Sequence, residues 1–219
     1  MLNRAWSPEA GGPVRSFSRS HFGKHIVLFP SQKNNKQIIC ESRLEADYCV
    51  CLEFDRNVKS YFQQPVTAQL GTGRKKTYYT PDFFIRTYDH FDYFAEVKHS
   101  FSHCLPAYLE TLQRFEKLAI TLKYDFYRIE GSKIQQRPMS DTMQTLYLRS
   151  LHTTPLEYAY LINEISNKTT LTLRELLNQT GAPSMRAIAK AVLQGKIWID
   201  LNKPINLKTT LWFGSYHEN

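Results

Sequence analysis

Two short segments constrain this chain more than anything else in it: Tyr79-Thr80-Pro81-Asp82-Phe83 and, a hairpin's length downstream, Glu96-Val97-Lys98. Side chains alternate faces along a strand, so Glu96 and Lys98 point the same way and Val97 points into a core. Tyr78-Tyr79, then Phe83, Phe84 and Ile85, read as the partner strand. A reversal centred on Asp89 in Tyr88-Asp89-His90 places residue 82 opposite residue 96. Asp82 and Glu96 are then close enough to share one cation. Pro81 fits just before such a strand, where a missing amide donor matters least.

A chain of 219 residues with 42% hydrophobic and 13% aromatic residues has material for one mid-sized domain and a small one. It has no apolar run of about 18 residues, and its first residues lack a signal-peptide apolar stretch, so a soluble, cytoplasmic protein with no membrane partner is expected. Cys40, Cys49, Cys51 and Cys104 include no C-x-x-C pair and sit among apolar neighbours. They read as free thiols rather than disulfides or zinc ligands, and His25, His99 and His103 do not complete a zinc site.

The net charge of +8 and a pI near 9.3 point to a polyanionic partner. Within residues 1–40, Arg4, Arg15, Arg19, Lys24, Lys33 and Lys36 stand against Glu9 alone, an excess of +5. Residues 1–24 therefore read either as a basic flexible arm lying along phosphates or as a terminus kept soluble by its charges.

The pattern from 25 to 150 is mixed α/β. Lys36 to Cys40 reads as a strand, and Ser42 to Phe54 as a helix with an apolar stripe of Leu44, Tyr48, Cys51 or Leu52, and Phe54. Val58 to Phe62 and Thr67 to Leu70 look extended. Gly71-Thr72-Gly73 then turns the chain into the basic run Arg74-Lys75-Lys76. After the Asp82 to Lys98 hairpin, Ala107 to Leu122 has helical periodicity, Tyr124 to Ile129 reads as a strand, and a helix is expected from about Ser140 to Leu151.

From 153 to 219 the pattern changes to short helices, Leu156 to Ile165, Leu173 to Asn178 and Met185 to Gln194, followed by a hairpin beginning at Ile197. Two helices around Thr180-Gly181-Ala182-Pro183-Ser184 followed by a hairpin fit a winged helix. Seven Lys or Arg against five Asp or Glu leave this region only +2, so DNA contact and protein contact both stay open.

Phosphodiester hydrolysis needs a hard cation, and Mg²⁺, with Mn²⁺ able to replace it, uses few protein carboxylates together with waters and substrate oxygens. Asp82 and Glu96 supply the carboxylates, the Val97 carbonyl a further oxygen, and Lys98 a positive charge for the transition state. Glu45 carries two readings: a fourth member reaching the same cation, or the glutamate of an S-x-x-E capping box in Ser42-Arg43-Leu44-Glu45.

The ordered set Cys40-Glu41-Ser42-Arg43-Leu44-Glu45, Glu53-Phe54-Asp55, Gln63-Gln64-Pro65, Tyr79-Thr80-Pro81-Asp82-Phe83 and Glu96-Val97-Lys98 resembles the TnsA family, the endonuclease subunits of heteromeric bacterial transposons. The likeness covers about residues 25–130 by motif and the rest by architecture. It implies a restriction-endonuclease-like, PD-(D/E)xK core followed by a winged-helix domain. By that likeness Glu45, Asp82, Glu96 and Lys98 occupy catalytic positions, with Glu96 where some members carry glutamine, and Gln64-Pro65 serves positioning. The implied work is cutting the 5′ ends of a transposon in double-stranded DNA beside a DDE transposase, TnsB, under an AAA+ regulator, TnsC. A stand-alone restriction or repair nuclease, and a non-catalytic winged-helix DNA-binding protein, are the alternative readings of the same residues.

Overall fold

The computed structural model describes residues 26–179 and 181–214, and the basic arm expected over residues 1–24 lies outside them, as does His25. The chain is mixed α/β and divides into two compact units between Ile134 and Gln135. Among the described residues no helix is long and apolar enough to cross a membrane.

The first unit opens with an antiparallel ribbon, β1 (Val27–Ser31) and β2 (Lys36–Cys40). Helix α1 (Arg43–Phe54) starts where Ser42 accepts a hydrogen bond from the Glu45 amide, and β3 (Val58–Gln63) follows it. A small hairpin of β4 (Ala68–Leu70) and β5 (Thr77–Tyr79) comes next, closed by a 3-10 turn over Gly73–Lys75. Gly71, between β4 and that turn, has φ +77°, and a Cβ there would stand 2.8 Å from the Lys75 carbonyl oxygen, so only glycine fits. Then come β6 (Phe83–Thr87), β7 (Tyr93–Lys98), α2 (Pro106–Thr121), β8 (Asp125–Glu130) and the single turn α3 (Gly131–Ile134).

The main sheet runs β3-β6-β7-β8; the first three strands are antiparallel, and β8 joins β7 in parallel through α2. A parallel neighbour requires such a crossover. Both faces of this sheet are covered, which is why β6 is an apolar run rather than an alternating strand. Phe83 packs on Tyr48 of α1, with ring centroids 5.5 Å apart, whereas Phe84 joins Phe94, Leu112, Phe115, Ala119 and Phe126 in the cluster built on α2. Glu53 of α1 is buried instead of the stripe position Phe54, which is only half-buried. It is held by the Ser31 and Tyr61 hydroxyls at 2.6 and 2.8 Å and by the Lys33 amide. That network ties the turn between β1 and β2 to the sheet.

The second unit holds α4 (Met139–Ser150), α5 (Pro155–Ile165), β9 (Thr170–Thr172), α6 (Leu173–Leu177), α7 (Met185–Leu193), β10 (Ile197–Trp198) and β11 (Thr210–Phe213). Its three strands pair in the order β10-β11-β9. Capping boxes at Thr154/Glu157 and Thr172/Glu175 start α5 and α6. The expected hairpin from Ile197 is present, with β9 as an unforeseen third strand.

The unit boundary differs from the 150/153 division read in the sequence. Helix α4 packs against α7 and buries Met143, Leu146 and Tyr147, so it belongs with the C-terminal helices. A fragment ending at Leu151 would carry that apolar face without its cover. The fragment of residues 1–135 is therefore expected to stay monomeric and to melt cooperatively, whereas 1–151 self-associates; size-exclusion chromatography with thermal melts compares them.

Helix α7 presents a largely apolar surface to its own unit. Six of its nine residues are buried, and it packs on α4, α5 and β10. Arg186 is bound to Glu157 at 2.7 Å, and the Lys190 ammonium stands 5.4 Å from the centre of the Tyr158 ring.

Candidate active site

The pairing Phe83↔Ala95, Phe84↔Phe94 and Ile85↔Tyr93, continued by one residue, sets Asp82 against Glu96. The two are locked reciprocally: the Val97 amide donates to Asp82 Oδ2 at 2.8 Å, and the Asp82 amide donates to Glu96 Oε2 at 3.3 Å. Gln64, at φ +43°, adds a third restraint by donating its amide to the Asp82 carbonyl at 2.8 Å. That bond ties Gln64 to the backbone that carries Asp82.

Lys98 lies on the same face as Glu96, as the strand period requires. Its Nζ is 2.6 Å from Glu96 Oε1 and 3.5 Å from Asp82 Oδ2. Val97, one residue between them, is buried on the opposite side. These residues line an open cavity of about 430 Å³ that also includes Glu41, Glu45, Tyr79, His99 and Tyr108.

Glu96 is the buried member of the set, 3% exposed against 17% for Asp82 and 36% for Lys98. Its charge is matched by four donors. Oε1 accepts from Lys98 Nζ and from the Tyr108 hydroxyl, and Oε2 accepts from the Tyr79 hydroxyl at 2.6 Å and from the Asp82 amide. Neither tyrosine hydroxyl was identified from sequence. Tyr79 reads there as a strand aromatic, and Tyr108 lies in the first turn of α2, where only the crossover brings it over Glu96. His99, which completes no zinc site in the sequence reading, is exposed at the cavity wall.

The electrostatics follow from this packing. Burial, reinforced by the neighbouring Glu96 charge, pushes the Asp82 carboxyl well above its ordinary 3.8, and Lys98 only partly offsets the rise. Burial alone would lower the Lys98 ammonium; Asp82 and Glu96 outweigh that and hold it above its usual range. Lys98 therefore keeps its proton at neutral pH. Burial likewise raises the Tyr79 and Tyr108 hydroxyls, with Glu96 next in effect, so both remain donors.

Glu45 lines the cavity, but its carboxylate is committed to the start of α1. Oε2 accepts from the Glu41 amide at 2.8 Å and Oε1 from the Ser42 hydroxyl at 2.9 Å, while Ser42 Oγ accepts from the Glu45 amide at 3.1 Å. The capping role is thus formed, with the reciprocal bond going to Glu41 rather than to Ser42. Burial raises the Glu45 carboxyl. Among the described residues no group of three or more His, Cys, Asp or Glu side chains is gathered to hold a metal ion. Glu45, Asp82, Glu96 and Val97 all line the cavity, with Asp82 and Glu96 face to face beside the Val97 backbone and Glu45 engaged at the start of α1. Two carboxylates with a single ammonium between them leave an excess of negative charge. That donor set fits a hard divalent cation such as Mg²⁺, which takes one or two protein carboxylates and completes its shell with water and phosphate oxygens.

The four cysteines are free, Cys40 and Cys49 buried and Cys51 and Cys104 half-buried. In comparisons with known proteins, no family model matches the chain, and no curated protein matches it.

Proposed function

We propose that the chain is a metal-dependent DNA endonuclease that cleaves the 5′ ends of a transposon together with a DDE transposase and an AAA+ regulator. The observation that carries this reading is the convergence of Asp82, Glu96 and Lys98 at one cavity wall, with Asp82 and Glu96 locked face to face. A four-stranded mixed sheet covered on both faces, with the acids where β6 and β7 meet, supports a restriction-endonuclease-like core. Short helices with a three-stranded sheet of β9, β10 and β11 support a winged-helix reading of the second unit.

Asp82 and Glu96, with the Val97 carbonyl, would hold Mg²⁺ or Mn²⁺. Such a cation supplies charge neutralisation at the scissile phosphate and an acidified water. Lys98 stays charged and so acts electrostatically, stabilising charge that grows on the phosphate oxygens rather than removing a proton. Its 36% exposure leaves the ammonium within reach of a phosphate entering the cavity. Gln64 fixes the backbone that presents Asp82.

The sequence-reading capacity of the chain is small, since the polar side chains of α7 are engaged within their own unit and phosphate contacts position a protein without specifying a site. Specificity then comes from a partner, and the second unit serves docking. Purified protein with Mg²⁺ and a plasmid bearing transposon ends is expected to give mapped 5′ nicks only when transposase and regulator are added. Efficient site-specific cutting by the protein alone would favour a restriction-type enzyme.

A further inference from the structure

We infer that Tyr108 is a positioning residue that controls cation access to Glu96, holding its outward oxygen in competition with the metal. The inference rests on the metal reading proposed above. A carboxylate has about four lone-pair sites, two on each oxygen. In Glu96 all four are used: Lys98 Nζ and the Tyr108 hydroxyl on Oε1, and the Tyr79 hydroxyl and Asp82 amide on Oε2. Glu96 therefore gains a site for a cation only when one donor withdraws.

The four donors differ in freedom. The Asp82 amide is backbone, held by the pairing of β6 with β7, and Tyr79 is 5% exposed with its ring packed 4.8 Å from that of Phe115. Lys98 and Tyr108 are only half-buried, both line the cavity, and both address Oε1. They also hold each other, with Lys98 Nζ 5.7 Å from the centre of the Tyr108 ring. A phosphate in the cavity competes with Glu96 for the Lys98 ammonium, because both are anionic oxygen groups. Its arrival draws Lys98 away and opens Oε1, so that metal loading follows DNA binding. Tyr108 is the neutral half of the latch and the half that can be removed without changing a charge.

The test is a Ca²⁺ and Mn²⁺ titration of the full chain without DNA, followed by thermal melting, for the unsubstituted protein, Tyr108→Phe and Asp82→Asn. Phenylalanine keeps the ring packing and the face presented to Lys98 while freeing one lone pair. Tyr108→Phe is expected to reach half its cation-induced shift at about one-tenth of the cation concentration, the factor for losing one modest hydrogen bond to a charged acceptor. An unchanged or higher half-shift concentration overturns the inference, and a change in basal melting temperature alone does so too, since that marks a purely structural tyrosine. Asp82→Asn is expected to lose the shift altogether. If it titrates like the unsubstituted protein, the metal site itself is misassigned, an outcome separable from the failure of Tyr108.

Discussion

Asp82→Asn is expected to lower strand cleavage by about a hundred- to a thousandfold, roughly 3 to 4 kcal/mol of transition-state stabilisation, and in metal-free buffer to raise the melting temperature of the same protein. The two effects have one cause. The Asp82 carboxylate is driven into a half-buried position beside Glu96, and its ionised form is disfavoured in the folded state. A carboxyl raised on folding contributes stability that is complete below its unfolded value, near the ordinary 3.8, and that is lost as pH rises through the folded value. The asparagine variant has no such loss, while its side-chain oxygen still accepts from the Val97 amide. Its advantage in melting temperature should therefore be absent near pH 4, grow as pH rises, and level off above the folded pKa. Melts with chelator across that range check the sign. A variant less stable than its parent at neutral pH would show that the Lys98 ion pair dominates instead.

Glu96→Ala is expected to act on the fold first. Its removal leaves the Lys98 ammonium and the Tyr79 and Tyr108 hydroxyls without their acceptor in a largely buried setting. Breaking one side of such a cluster costs about 3 to 5 kcal/mol, a fall in melting temperature on the order of 10 °C for a domain of this size. Loss of cleavage in the alanine variant therefore says little about chemistry. Glu96→Gln keeps an acceptor and most of the donors in place, and is expected to fold while cleaving poorly. Equal melting temperatures for the alanine variant and the parent would mean that Glu96 is not the anchor its four donors indicate.

How much of this was legible in the sequence depended on how local each determinant is. The alignment of Asp82 with Glu96 followed from a turn at Tyr88-Asp89-His90 and a period of two, both short-range, and His90 indeed carries the positive φ of +64° that such a reversal uses. Helix α1 was announced by Ser42 and Glu45, and the same two residues hid which role Glu45 takes, because one spacing serves both a cap and a ligand. Strand β1 escaped notice because Pro30 argues against a strand, and an edge ribbon is where proline is tolerated. Strand β9 is three residues long and is defined by its distant partner β11. The same limit concealed the division at Ile134, set by α4 packing on α7, and the hydroxyls around Glu96, which arrive from β5 and α2. Sequence spacing speaks for neighbours along the chain, and these are neighbours only across it.

Asp82 and Glu96 are proposed to form a metal-dependent cutting centre. Cleavage of an end-bearing duplex by the assembled transposition reaction, followed strand by strand in Mg²⁺ and again in EDTA, tests it with the unsubstituted protein and Asp82→Asn side by side. Mg²⁺-dependent 5′-strand nicks by the unsubstituted protein are expected, lost in EDTA, and lost with Asp82→Asn in Mg²⁺ while the DDE transposase goes on cutting the 3′ strand. Nicks on the 5′ strand that survive either EDTA or the Asp82→Asn substitution would contradict it.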